Sequence, residues 1–255
     1  MIKAVFFDID GTLINYKMEM PESTKKALKT LRKKGLKVFI ATGRNMMQME
    51  SLPVSNMHFD GYVTLNGQIC LDGDKKMFYE TPIEACDVKK MLSLFEQKKI
   101  PILIVEENRM YINMIDDLVR QTQKEIHMDL PKLGEYRGAT IYQFIVHAKE
   151  DTAQALLRQL PNCKMTRWHR NGMDIISKKS GKVAGIEQVL KRYGIQKEEI
   201  MAFGDGENDV DMLAYAGIGV AMGNAQNAAK EQADYITDSV DENGVQNALQ
   251  YFGIL

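Results

Sequence analysis

Ala4-Val5-Phe6-Phe7 is an unbroken apolar run without polar alternation, which predicts a strand buried on both faces. A loop over 8–21 follows. Residues 22–34 put Ala27, Leu28 and Leu31 on one helical face, with Gly35 as the C-terminal stop. Val38-Phe39-Ile40-Ala41 reads as a second buried strand, closed by Thr42-Gly43-Arg44. A helix through Met46, Met47 and Met49 leads to Tyr62-Val63-Thr64-Leu65 and the turn Asn66-Gly67. Strand alternating with helix in this way is the grammar of an α/β chain built on a doubly wound, Rossmann-like parallel sheet.

Around Thr81-Pro82 the grammar changes. Val88, Met91, Leu92 and Phe95 mark an amphipathic helix, and Ile102-Leu103-Ile104-Val105 with Met110-Tyr111-Ile112 reads as a hairpin. A helix over 116–126, a strand over 141–146, a helix over 151–160 and strands near Met165 and Ile175 complete the stretch. Hairpins mixed with helices predict a smaller α+β module, 82–180, inserted into a core made of 1–81 and 181–255. From Lys182 the first grammar returns: a helix to Tyr193, Gly194 as its stop, then Ile200-Met201-Ala202-Phe203 and Gly204-Asp205. The crossings at Thr81-Pro82 and Lys179-Ser180-Gly181 carry the proline and glycine expected of hinges.

At 255 residues the chain is long enough for one large or two modest domains. Thirty-three basic against 34 acidic side chains leave a net charge of −1, which argues against a general nucleic-acid binder. No uncharged apolar run approaches the roughly 18 residues of a membrane span. Three cysteines, odd in number and far apart, make no disulfide framework. A cytoplasmic protein is expected, with neither nucleic acid nor membrane as partner. Its oligomeric state is not legible.

Two acidic loops carry the chemistry. Asp8-Ile9-Asp10-Gly11-Thr12 directly follows the first strand, where open parallel sheets place their ligands. Carboxylates at i and i+2 with a glycine in the turn suit a hard divalent cation and a phosphate, although aspartates also serve ordinary turns. Gly204-Asp205-Gly206-Glu207-Asn208-Asp209 follows another apolar strand. So many acids in one loop repel one another unless a cation neutralises them. One of Asn208 and Asp209 is also expected to cap the helix through Met212 and Leu213. The loop is no EF-hand, because Val210 stands where that motif needs glycine. Thr42-Gly43-Arg44 at a strand end, just before a helix, offers a hydroxyl and backbone N–H groups for phosphate. Lys182 offers a cation for phosphoryl oxygens, with Lys178 and Lys179 as rivals.

Taken together, these segments resemble the haloacid dehalogenase superfamily: Asp8-Ile9-Asp10-Gly11-Thr12 matches its first motif, Thr42 the second, Lys182 the third and 204–209 the fourth. An insert between the second and third motifs resembles the C2-type cap of the Cof-like phosphatases, which also carry an Asn-Gly turn where Asn66-Gly67 stands. The resemblance implies a phosphatase of small phosphorylated metabolites such as sugar phosphates. Asp8 would be nucleophile and Asp10 acid–base. Magnesium would be held by the Asp8 carboxylate, the Asp10 backbone carbonyl and Asp205, with Asp209 behind them. Thr42, Gly43, Asn66, Asn208 and Lys182 would hold phosphate or substrate, or orient the nucleophile. A phosphomutase or phosphotransferase is the alternative within the family. A phosphate-sensing regulator without turnover is the alternative outside catalysis, and the intact Asp8–Asp10 pair argues against it.

Other features carry less. Gly217-Ile218-Gly219-Val220-Ala221-Met222-Gly223 has its third glycine one residue too late for a dinucleotide motif and reads as a strand. Most of the 17 methionines sit at core spacing, with Met18, Met20 and Met46-Met47-Met49 flanking the catalytic loops. His58, His127, His147 and His169 show no ligand spacing. Trp168, beside Arg167 and His169, is expected at a rim or in packing rather than against substrate.

Overall fold

The structure, a computed structural model, describes residues 1–126 and 128–255, and His127 lies outside them. They divide into two compact units, Met1–Glu80 with Gly181–Leu255, and Thr81–Ser180. The first unit begins with β1 (Ala4–Phe7), α1 (Glu22–Lys33), β2 (Lys37–Ala41), α2 (Met46–Met49), β3 (Gly61–Thr64), β4 (Ile69–Asp72) and β5 (Met77–Glu80). The second holds α3 (Ala85–Gln97), β6 (Ile102–Val105), β7 (Met110–Ile112), α4 (Asp117–Glu125), β8 (Gln143–His147), α5 (Glu150–Leu157), β9 (Cys163–His169) and β10 (Gly172–Ser177). The chain returns to the first through α6 (Lys182–Tyr193), β11 (Ile200–Gly204), α7 (Val210–Tyr215), β12 (Ile218–Ala221), α8 (Asn227–Gln232), β13 (Tyr235–Ile236) and α9 (Gly244–Tyr251).

In the first unit one sheet runs β13-β12-β11-β1-β2-β3-β4-β5. β1 is parallel to both neighbours, with Phe7 opposite Phe203 on β11 and Ile40 on β2. The sheet therefore grows outward from β1 in both directions, and a strand order that reverses there opens a crevice beyond the strand ends. Apolar burial on both faces fixes β1 in place: all four of its residues are fully buried. Phe6 stacks on Phe39 and Phe7 on Phe203 at 4.8 and 4.9 Å between ring centroids. Asp8, Thr42 and Asp205 directly follow β1, β2 and β11, so the three loops share one edge of the sheet.

The expected parallel sheet is present, with one addition. β4 and β5 continue it as antiparallel strands. Only Leu65 to Gln68 separate β3 from β4. A parallel return needs a crossover of about a dozen residues, so the chain can only fold back on itself. Asp72 closes the next turn, its side chain accepting from the N–H groups of Asp74 and Lys76 at 3.1 and 3.0 Å.

The second unit has an antiparallel sheet, β7-β6-β8-β10-β9. Ile102 and Ile104 join the cluster that α3 and α5 supply with Met91, Phe95, Ala153 and Leu156. Leu103, between them, joins Ile112 and Val119 of α4 in a second cluster, as period-two alternation requires. α4 is capped by Asp116, which accepts from Val119 N–H at 2.9 Å. α5 stops at Leu157, short of the expected residue 160. Among the described residues no helix is long and apolar enough to cross a membrane.

Candidate active site

Asp8 stands one residue beyond β1, its N–H donating to the Phe203 carbonyl at 3.0 Å. The loop then doubles back: Gly11 N–H donates to Ile14 O at 2.8 Å, and Leu13 N–H to Ile9 O at 2.9 Å. Gly11 takes φ +74°, and any Cβ there would overlap the Asp205 carboxylate. Glycine is thus what lets the two acidic loops touch.

Lys182 is the first residue of α6, and its side chain is 1% exposed. Its Nζ lies 2.6 Å from Asp8 Oδ1 and 2.6 Å from Asp209 Oδ1. The helix start is brought close by Gly67, at φ +85°, where a Cβ would strike the Gly181 carbonyl. Burial alone would depress the Lys182 ammonium, but Asp209 and Asp8 outweigh it and hold it above its usual range. Burial pushes the Asp8 carboxyl up, Lys182 pulls against it, and Asp209 and Asp10 add to the rise. Asp205 is also pushed up, first by burial and then by Asp8 and Asp209. The rivals sit on the other unit's surface: Lys178 donates to Pro161 O at 2.7 Å, and Lys179 pairs with Glu84 at 2.6 Å.

Asp209 corrects the capping expectation. It occupies the N-cap position of α7, yet makes no side-chain cap bond to that helix. Its Oδ2 turns back to accept from the N–H groups of Asp205 and Gly206, both at 2.9 Å, while Oδ1 takes Lys182. Asn208 does not cap either; its Nδ2 donates to Asn66 Oδ1 at 3.1 Å.

Asp10 is half exposed and turns to Arg44, whose strand end the sequence reading named for its backbone N–H groups but whose side chain it gave no role. Arg44 Nε donates to Asp10 Oδ2 and its terminal nitrogen to Asp10 Oδ1, each at 2.7 Å. This two-point fork is the strongest ion-pair geometry available to a carboxylate. Two neighbouring strand ends, β1 and β2, bring the pair together across 34 positions of sequence. Arg44 closing a strand beside an acidic strand end is the only sequence signal for it.

Thr42 is buried and its hydroxyl accepts from Arg44 N–H at 3.1 Å. Its own N–H is taken by Val63 O at 2.9 Å, so it is not the free donor expected from the strand end. A Cβ on Gly43 would stand 3.2 Å from the Asn66 amide. Asn66 adopts φ +53° and donates its N–H to Thr42 O at 3.0 Å. Asp8, Asp10, Thr42, Gly43, Asn66, Lys182, Asp205, Asn208 and Asp209 therefore converge in one unit.

Asp8, Asp205 and Asp209 each present a carboxylate oxygen within 4.8 Å of the others. An all-oxygen, doubly or triply acidic set fits a hard cation of the magnesium class. Asp209 has both oxygens committed to Lys182 and to two N–H groups, so it is suited to orient its neighbours rather than to bind. Among the described residues the Asp205 carboxylate accepts from neutral donors, Thr12 Oγ1 and Asn224 Nδ2 at 3.4 Å each, and has no ammonium or guanidinium hydrogen-bonded to it as Asp209 has.

The remaining candidates have surroundings of their own. His58 is exposed, His169 pairs with Glu125 at 2.9 Å, and His147 is buried with neither ring nitrogen bonded. Trp168 donates to Asp174 Oδ1 at 2.9 Å. The glycine run 217–223 contains β12, and a Cβ on Gly219 would overlap Leu213 O, so packing accounts for that glycine. Cys70, Cys86 and Cys163 are free.

A family model of haloacid dehalogenase-like hydrolases matches residues 5–249. YkrA of Bacillus subtilis, which carries the name of a phosphatase, is 31% identical over 99% of this chain and 98% of its own. The Bacillus subtilis 5-amino-6-(5-phospho-D-ribitylamino)uracil phosphatase YcsE is 27% identical over 98% and 96%. Among solved structures, the phosphatase BT1666 from Bacteroides thetaiotaomicron superposes with TM-score 0.89 at 30% identity, over 100% and 96% of the two chains. The subclass IIB sugar phosphatase BT4131 superposes with TM-score 0.86 at 35% identity, over 99% and 100%. The chain belongs to the haloacid dehalogenase-like hydrolases, in their Cof-like branch.

Proposed function

We propose that this hydrolase is a magnesium-dependent phosphatase of small phosphorylated metabolites, sugar phosphates or related phosphomonoesters, acting in the cytoplasm through an aspartyl-phosphate on Asp8. The observation that carries the reading is the Lys182–Asp8 pair. A nucleophilic carboxylate must be ionised, burial opposes that, and the Lys182 ammonium at 2.6 Å supplies the opposing charge.

In the first step an Asp8 oxygen bonds to phosphorus as the bond to the leaving oxygen breaks, and Asp10 gives that oxygen a proton. In the second, water attacks the same phosphorus, Asp10 takes its proton, and the Asp8 carboxylate is regenerated as phosphate departs. Thr42, Gly43, Asn66 and Asn208 hold phosphoryl oxygens or shape their pocket, and Lys182 favours the ionised form of Asp8 against burial and aims it. The Asp8 carboxylate, the Asp10 backbone carbonyl and Asp205 would hold magnesium, which when bound would supply positive charge against the phosphoryl oxygens. Asp209 orients Asp205 and Lys182 from behind.

The substrate class draws support from the relatives, a sugar phosphatase and a ribitylaminouracil phosphatase, whose named substrates are phosphomonoesters of polyhydroxylated groups. These site residues address only the phosphoryl group and the metal, so discrimination among leaving groups is assigned to the insert, 82–180. Magnesium-dependent phosphate release from p-nitrophenyl phosphate tests the function. Folded protein that releases none would favour a phosphate-sensing role, and delivery of the phosphoryl group to an added sugar instead of water would favour a phosphotransferase.

A further inference from the structure

Asn224 lies in the loop after β12 and is half buried. Its Nδ2 donates to the Gly11 carbonyl at 2.8 Å and stands 3.4 Å from Asp205 Oδ2. Its Oδ1 accepts from Val240 N–H at 2.9 Å. One carboxamide thus spends both kinds of bond it can make on three segments: the acidic loop at Asp8–Thr12, the acidic loop at 204–209 and the turn at Val240–Glu242.

The place where it does so matters. Gly11 and Asp205 are packed so tightly that no Cβ fits between them. Two side chains grip both loops: Thr12, whose Oγ1 reaches Asp205 Oδ1 at 3.4 Å, and Asn224, which also holds the Gly11 carbonyl. Its donor is also neutral. A lysine beside Asp205 would satisfy the carboxylate and compete with a cation, as Lys182 satisfies Asp209. An amide orients the oxygen while leaving its charge for a metal.

We infer that Asn224 is a positioning residue for the divalent cation: it fixes the Asp205 carboxylate against the Gly11 peptide and thereby sets magnesium affinity. This rests on the reading of Asp8 and Asp205 as metal ligands. Asn15 provides the control, because its Nδ2 ties the same first loop to the same turn through Asp241 Oδ1 at 2.8 Å without touching Asp205.

The test is calorimetric titration of magnesium into wild type, Asn224→Ala, Asn15→Ala and Asp205→Ala, with thermal midpoints recorded without the metal. Asn224→Ala is expected to bind magnesium about 10-fold to 10²-fold more weakly, the range for partners that orient a ligand. Its turnover should return as magnesium is raised, with KM for p-nitrophenyl phosphate at saturating metal unchanged. Asn15→Ala should bind as wild type does. Should Asn224→Ala unfold, Asn224→Leu keeps the branched side-chain shape and removes the donors together with the acceptor for Val240 N–H. Wild-type magnesium affinity in a folded Asn224 variant overturns the inference, and so does equal weakening in the Asn15 and Asn224 variants, which would assign the effect to the turn. Equal binding by wild type and Asp205→Ala would overturn the metal reading itself, and this inference with it.

Discussion

Arg44 and Asp10 face each other through two parallel hydrogen bonds of 2.7 Å, a planar fork on a carboxylate. Asp10 is the proposed proton carrier, so its orientation depends on this arginine. Lysine would preserve the charge and lose the fork. Arg44→Lys is expected to lower kcat by about 10-fold or more, within the roughly 10²–10⁴-fold of a whole acid–base group, and to leave magnesium affinity unchanged. Steady-state kinetics beside a metal titration checks this; unchanged kcat would release Arg44 from the mechanism.

Lys182 holds two buried carboxylates at once. Lys182→Met leaves Asp8 and Asp209 without their counter-charge, at a cost of about 3–5 kcal/mol for breaking a buried pair. Urea unfolding without magnesium should show that loss, and magnesium should recover part of it. A variant as stable as wild type in the absence of metal would contradict the account of the cluster.

Much of this was legible in the chain. The continuous apolar runs ending at Phe7, Ala41 and Phe203 are strands because they are buried on both faces, and each delivers its polar residues to one sheet edge. The strand that begins at Ile69 was less legible, because its pairing is dictated by the short link from β3 rather than by its own pattern. The sequence also could not choose among Lys178, Lys179 and Lys182 on chemistry alone: three ammonium groups differ only in where α6 begins. The Arg44 side chain and Asn224 were missed for a related reason. Their partners, Asp10 and Gly11, lie 34 and 213 positions away and meet them only in the folded sheet.

Gly11 makes a sharper local test. Gly11→Ala demands both φ +74° and space occupied by Asp205. The expected outcome is a folded protein with magnesium affinity reduced about 10-fold or more, since displaced ligands and their supports cost that much. Calorimetry decides it. Unaltered affinity would mean the two loops do not jointly hold the metal.

His147 predicts a pH dependence that is independent of catalysis. Burial pushes its imidazole down from 6.5 to about 4, with Asp116 opposing and His169 adding. Above pH 6.5 folded and unfolded forms are both neutral there. Between 6.5 and about 4 the unfolded chain takes the proton first, so stability falls with pH, by up to ~3 kcal/mol. His147→Gln should flatten the acid limb of a denaturation-against-pH series relative to wild type; identical limbs would show that His147 does not titrate on unfolding.

The central claim is that Asp8 carries the phosphoryl group. A single turnover with p-nitrophenyl phosphate, quenched in acid and analysed by peptide mass spectrometry, tests it directly. The account predicts a phosphoryl adduct on the peptide containing Asp8, present at early times, gone at completion, and absent from Asp8→Asn, which should not turn over. Phosphate release at wild-type rates by folded Asp8→Asn, with no adduct at any time, would contradict it.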